Sequence, residues 1–305
     1  MTDWETLCDT LADAYDDPDC RSYFKANLTT VQTTLSGGSV HPGGLYRKGI
    51  QVVFNIPARY AINFFLPQTQ GPHCGQYLNR HAISPRVGVS LKGPTARDRI
   101  DAALAKIGQD GALTDTNGHY GAVELNGTGV RYFGDICLVL RGDKMADKTL
   151  TLLRNSYDML VQPVVQRLAN LSSDDQDDMA VTILKEWAGT WADDAVDITT
   201  FKMMKHAPET ERRMTTGQIS RGVLDDEDYV EVVRSETFEP GDLEEVRLTA
   251  EDAAAQAMIA DQLRVGSAPF AAHTLWRHRR RQVIRLAEAQ GVPTRVVVTS
   301  GRARS

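Results

Sequence analysis

The sequence predicts an α+β fold: a mixed, largely antiparallel sheet flanked by helices, with a helical N-terminal segment and a more helical C-terminal half. Three observations predict it. Runs dense in β-branched and aromatic residues, such as "IQVVFNI", "YGAVEL" and "ICLVL", have the length and composition of strands. Other stretches repeat their apolar residues at helical spacing. The two kinds of stretch interleave along the chain without an internal repeat, separated by loops rich in Gly, Pro and Asn.

In chain order, "DWETLCDTLADAY" places Trp4, Leu7, Leu11 and Tyr15 at helical spacing, and Asp17-Pro18 breaks the pattern before a second short helix. "LSGGSVHPGG" is a loop. "LYRKGIQVVFNIPARYAINFFLP" then reads as one or two strands interrupted at Pro57, followed by a long polar connection. "RVGVSLKG" reads as a short strand. "PTARDRIDAALAKIG" reads as a helix capped by Thr95, with Ile100, Leu104 and Ile107 as its apolar stripe and Gly108 as its stop.

The stretch 118–140 reads as a β-hairpin turning at "NGTG", where Asn126, Gly127 and Gly129 can take positive φ. Period two puts Val123 and Leu125 on one face and Tyr120, Ala122 and Glu124 on the other. With the first face in the core, Glu124 is expected to point into solvent or a cleft. The pattern beyond residue 148 reads as helical, and "SSDDQDD" has the acidic, Ser-rich character of a helix start. "DDEDYVEVVRSETFEPGDLEEVRLT" reads as two strands around an exposed Glu-Pro-Gly turn. Two strong helices and a buried final strand, "VPTRVVVTS", complete the chain. A division near Ser172 gives a β-rich region over 1–172 and an acidic helical and αβ region over 173–305, expected to pack as one body.

With 305 residues, 42% of them hydrophobic and 24% charged, the chain has the composition of a folded, water-soluble protein. No apolar run approaches the roughly 18 residues of a membrane span, and the N-terminus is acidic where a signal peptide is basic. A cytoplasmic protein, or one exported without a classical signal peptide, is expected, with no membrane partner. Cys8, Cys20, Cys74 and Cys137 show no C-x-x-C pair and are read as reduced. His73, Cys74 and His81 lack a fourth ligand at a recognised spacing, so no metal is expected.

The net charge of −6 is concentrated beyond Ser172 and disfavours nonspecific nucleic-acid binding outside a local basic patch. "WRHRRRQVIR" supplies such a patch with Arg277, Arg279, Arg280, Arg281 and Arg285. These arginines are read in two ways, as a surface for a nucleic-acid or protein partner or as a helix docked on the protein's own acid. Asn155, Ser156 and Asp158 of "RNSYDML" are read as helix-capping residues.

The sequence has no P-loop, no G-x-G-x-x-G after a strand, no G-x-S-x-G and no H-E-x-x-H. What remains is Arg47 in "GGLYRKG", followed after a helix by a strand run carrying Glu124. This order resembles the ADP-ribosyltransferase-like superfamily of bacterial toxins and effectors over about 44–140. There an early strand ends in a hydrophobic-aromatic-Arg motif and a later strand presents the catalytic glutamate.

The resemblance implies an enzyme that cleaves NAD and transfers ADP-ribose to a macromolecular acceptor, with a cognate inhibitor or antitoxin as a further partner. It implies Glu124 as the carboxylate that steadies the ribosyl cation and Arg47 as the phosphate or ribose clamp. Tyr46 or Tyr120 would stack on nicotinamide, and Asp135 would be a second carboxylate. The family's Ser-Thr-Ser triplet has its nearest equivalents here in Ser84 and Ser90. "YVEVVRSETFEPGDLEEV" is also similar to the strand and turn after a catalytic glutamate in toxin relatives, which makes Glu231 a rival for the same role, with the serine then falling in "MTTGQIS" and the domain running from mid-chain to the end. The alternative is a noncatalytic binding module that uses the Arg277–Arg285 helix.

Overall fold

In the computed structural model, the described residues are 3–13, 50–83, 96–108, 112–125, 127–145, 149–156, 158, 172–206 and 229–298, with seven positions between 18 and 32. The predicted strand over 86–93, the Thr95 cap and Asn126 lie outside them. Eight strands form one sheet: β1 (Val52–Ile56), β2 (His119–Val123), β3 (Ile136–Leu140), β4 (Leu150–Leu152), β5 (Ala188–Thr190), β6 (Glu231–Arg234), β7 (Leu243–Thr249) and β8 (Thr294–Val297). Their order is β5-β4-β6-β2-β1-β3-β7-β8. All neighbours are antiparallel except β7 and β8.

The helices are α1 (Trp4–Asp13), α2 (Ala58–Phe65), α3 (Arg80–Ile83), α4 (Ala96–Ile107), α5 (Ser173–Trp187), α6 (Trp191–His206), α7 (Ala250–Arg264) and α8 (Ala271–Ala289). This is the α+β architecture that the sequence predicts. The α7–α8 pair supplies the long crossover that a parallel β7–β8 pairing requires.

Alternation along the strands sorts the core. Val52, Phe54, Ile56, Val123, Leu138, Val232 and Val246 point to one face, where they bury against α2 and α8. The other face is divided. Its β4–β6 side carries Leu150, Leu152 and Val233 under Ile100 and Leu104 of α4 and Ile183 and Leu184 of α5. Its centre carries Val53, Ala122, Val139 and Tyr229. The gap between these two clusters positions the candidate site.

Several local expectations hold. The α4 stripe is buried at Ile100 and Leu104, and Ser172 caps α5 by accepting from the Asp175 amide at 3.2 Å. Others change. The stretch 118–140 is not a hairpin: β2 and β3 lie on either side of β1, and the loop between them makes a 3-10 turn at Arg131–Phe133. Two strands of matching pattern satisfy their ladders equally well against a third strand as against each other, and alternation alone does not choose.

Pro57 ends β1, but the apolar run after it is α2, whose first amide, Ala58 N, donates to Asp135 Oδ1 at 2.9 Å. Leu150–Leu152 is a strand inside a segment read as helical. Strands β6 and β7 do not pair with each other, and Pro240 in their connection is buried. The final strand is a sheet edge with Val296 53% exposed.

Candidate functional site

A cleft of about 440 Å³ opens on the divided face of the sheet. Strands β1, β2 and β6 form its floor, bringing Val53, Tyr120, Ala122 and Glu231 together. The pairing Ala122↔Glu231 puts that carboxyl beside a lone methyl group on β2. Arg97 from α4, Asn155, Tyr229, and Phe133 from the 3-10 turn form the walls, with Tyr60 and Tyr77 at the β1–α2 end.

Glu231 is almost wholly buried, and its Oε2 accepts the Ser156 amide at 2.7 Å. Arg97 Nη1 donates to Ser156 Oγ at 2.9 Å, and its guanidinium lies 4.0 Å above the Tyr120 ring. Arginine, serine and glutamate thus form one connected group. Behind them Asp101 is a hub: it accepts the Tyr120 hydroxyl, pairs with Arg97 Nε at 3.3 Å and Arg80 Nη2 at 2.6 Å, and contacts His81 Nε2 at 2.8 Å. Lys202 Nζ donates to the carbonyls of Leu153 and Tyr229, tying the end of β4 to the chain entering β6.

Burial raises the Glu231 pKa above its ordinary value of 4.5, while Arg97 and the Ser156 donors pull the other way. Burial also raises Tyr120 and Tyr229, which stay neutral hydrogen-bond donors at all physiological pH. Desolvation works against the Arg97 charge, but Tyr120, Glu231 and Asp101 together outweigh it and raise its pKa. Among the described residues the cleft is therefore lined by two guanidinium groups, Arg80 and Arg97, one carboxyl whose proton affinity is enhanced, and five aromatic rings among apolar and amide side chains. Such a carboxyl can stabilise a developing cation or accept a proton.

Two sequence-predicted site residues, Tyr120 and Glu231, meet in this cleft. Arg47, Tyr46, Ser84 and Ser90 lie outside the described residues. Glu124 does not point into solvent or a cleft: it is fully buried. Its Oε2 accepts from Arg247 Nη1 at 2.8 Å and its Oε1 from the Gly127 amide at 2.5 Å. Arg247 also donates from Nε to Glu245 at 2.6 Å and from Nη2 to Gln51 at 3.0 Å. The second sheet face is not open there, because β7 presents the buried Arg247 to it.

Asp135 likewise serves structure, accepting from Ala58 N, Trp276 Nε1 and Arg280 Nη1. The basic helix is split in the same way. Arg280 is fully buried against Asp135 and Asp252, so it is not available to a partner, and Arg277 donates to the Gln256 carbonyl at 3.2 Å. Arg279 is half-buried, and Arg281 and Arg285 are exposed.

Arg97, Asp101, Ser156 and Tyr229 are the site residues that sequence reasoning missed. Arg97 did leave a trace: a cation in the first turn of a helix opposes the helix dipole and invites another explanation. Ser156, read as a cap, instead uses its amide and hydroxyl to join Glu231 to Arg97. Among the described residues, His81, Asp98 and Asp101 have ligand atoms within 4.8 Å of one another. The Arg80 guanidinium already bridges the two carboxylates, at 2.5 and 2.6 Å. No helix among the described residues is long and apolar enough to cross a membrane. Comparison with protein-family models, curated proteins and solved structures finds no match to this chain, so the functional reading rests on the residues themselves.

Proposed function

We propose that the cleft is the active site of an enzyme that cleaves the nicotinamide–ribose bond of NAD and transfers ADP-ribose to a macromolecular acceptor, with Glu231 rather than Glu124 as its carboxylate. The observation that carries this reading is the connected group Arg97, Ser156 and Glu231. In chain order they follow the arginine, serine, glutamate order of the ADP-ribosyltransferase-like pattern, with Arg97 and Ser156 standing in place of Arg47 and of Ser84 or Ser90. The arginine here begins a helix rather than ending a strand, which separates this site from that pattern in detail.

The lining suits the substrate. Tyr60, Tyr77, Tyr120, Phe133 and Tyr229 offer rings to a cationic pyridinium, which aromatic faces attract. As nicotinamide departs, positive charge grows on the ribose C1′. A Glu231 carboxylate in a water-poor cleft stabilises that charge more strongly than bulk water can. Ser156 holds the carboxylate in place, and Arg97 offers the dinucleotide a rigid fork of donors. The nicotinamide leaves as a neutral base, and the acceptor's nucleophile takes the sugar carbon while giving up a proton.

Nicotinamide release from NAD tests the proposal. Glu231→Gln is expected to lower the rate about 100-fold or more while Glu124→Gln, after correction for folded protein, does not. Because the working form is ionised, the wild-type rate should fall on acidification through a pKa above 4.5. Ser156→Ala removes a donor that favours the carboxylate, so that acid limb should move to higher pH. Equal rates in wild type and Glu231→Gln would end the proposal.

A further inference from the structure

Resting on the reading of the cleft as an NAD-consuming centre, we infer that Asp101 is its positioning residue: one buried carboxylate holds Arg97 and Tyr120 in a fixed stack and so keeps a cation beside Glu231. Asp101 is almost wholly buried, and its two oxygens serve two sets of donors. Oδ1 faces the site, where it accepts the Tyr120 hydroxyl and pairs with Arg97 Nε at 3.3 Å. Oδ2 faces α3, accepting from Arg80 Nε at 2.9 Å and Nη2 at 2.6 Å and lying 2.8 Å from His81 Nε2. Arg80 Nη2 is also gripped by Asp98, so the carboxylate is clamped from behind.

This clamp is transmitted forward. Arg97 and Asp101 stand one helical turn apart on α4, the spacing at which two side chains meet. The Tyr120 hydroxyl reaches the same oxygen from β2, which draws its ring against the guanidinium at 4.0 Å. With Nε committed to Asp101, the far arm of the fork, Nη1, is aimed at Ser156 Oγ at 2.9 Å. The Ser156 amide in turn donates to Glu231. Asp101 thus reaches Glu231 through one arginine and one serine.

Two routes of influence have opposite signs. Through space alone, the Asp101 anion disfavours a second anion, so removing it would ease ionisation of Glu231. Through position, Asp101 holds in place the Arg97 charge that favours the Glu231 carboxylate, so removing it would raise the proton affinity of Glu231. The other titratable groups around Glu231 are Asp158, which disfavours the carboxylate, and the phenols of Tyr120 and Tyr229, which burial keeps neutral. None of them carries a charge that Asp101→Asn removes.

The test follows the protonated-carboxyl infrared band of Glu231 against pH in the full chain, as the difference between each protein and its Glu231→Gln counterpart. The pH profile of nicotinamide release is read beside it. Asp101→Asn keeps the shape of the side chain and removes its charge. It is expected to move both the band and the acid limb of release to higher pH, and to lower kcat/KM for NAD about 10–100-fold. In an Arg97→Gln background there is no guanidinium left to place, so Asp101→Asn should leave the band where Arg97→Gln alone puts it. Tyr120→Phe cuts only the tie between the ring and Asp101, and should move the band the same way by a smaller step. A band that stays or moves to lower pH in Asp101→Asn, or that moves equally in both backgrounds, overturns the inference. Should Asp101→Asn not fold, an unmoved band in Tyr120→Phe overturns it. A wild type that releases no nicotinamide ends the NAD reading, while the band still decides whether Asp101 places Arg97 beside Glu231.

Discussion

Glu124 and Glu231 are the same side chain on neighbouring strands of one sheet face, and what stands opposite each decides its use. Glu124 meets Arg247, itself 1% exposed, and the pair is closed off with Gln51 and Glu245. Two buried carboxylates and a buried guanidinium hold each other in balance. Removing this cation takes the buried guanidinium from both anions, leaving Glu124 the Gly127 amide and Glu245 the half-buried Arg295 at 3.4 Å. Arg247→Met is expected to destabilise the protein by about 3–5 kcal/mol in denaturant unfolding, and adding Glu124→Gln to recover part of that loss. A single Arg247→Met variant as stable as wild type would show that the network is not buried as described. Glu231, by contrast, faces an opening, so its raised proton affinity is available to a ligand.

At the scale of elements, the segment between β2 and β3 does most to shape the site. It reads as a tight turn, yet it leaves β2, runs past the end of β1 and returns on its far side, carrying Tyr132 and Phe133 with it. Gly129 makes this path passable. Its φ is +64°, and a Cβ there would lie 2.3 Å from Asn55 Oδ1, the group that accepts the Val130 amide. Gly129→Ala should cost about 2 kcal/mol or more through strain and the displaced amide. It should also slow nicotinamide release, because the wall at Phe133 moves with the turn. Thermal melts and the release assay read the two effects, and an alanine variant that matches wild type in both would remove the argument. The basic helix gives the same lesson: the spacing of its arginines was legible, but the inward turn of Arg280 toward Asp135 and Asp252 depended on where those acids lay.

At the scale of the whole molecule, the sheet ignores the composition boundary near Ser172. Strand β6, from the acidic half, lies between β2 and β4 of the other half, and β7 pairs with β3. Neither half has a complete sheet or a complete cleft without the other. Calorimetry of the full chain should therefore show one cooperative transition, and residues 173–305 expressed alone, which keep only the β7–β8 pairing, should lose most of their strand content by circular dichroism. A folded fragment, or two separated transitions, would contradict the shared sheet.

The sequence by itself determined the class of the fold and most of its helices, because amphipathic spacing, the acidic Ser-rich helix start at "SSDDQDD" and β-branched runs are local properties of the chain. It also offered carboxylates and arginines as candidates, Glu231 and Tyr120 among the residues that the cleft brings together. Tertiary structure alone decided which carboxylate faces a cleft and which arginine stands with it. The strand order that sets Ala122 against Glu231, the helix that drops Arg97 onto Tyr120, and the loop that brings Ser156 between them join residues 23 to 109 positions apart. Contacts at such separation follow from the packing of complete elements, and periodicity within any one of them carries no record of its neighbours.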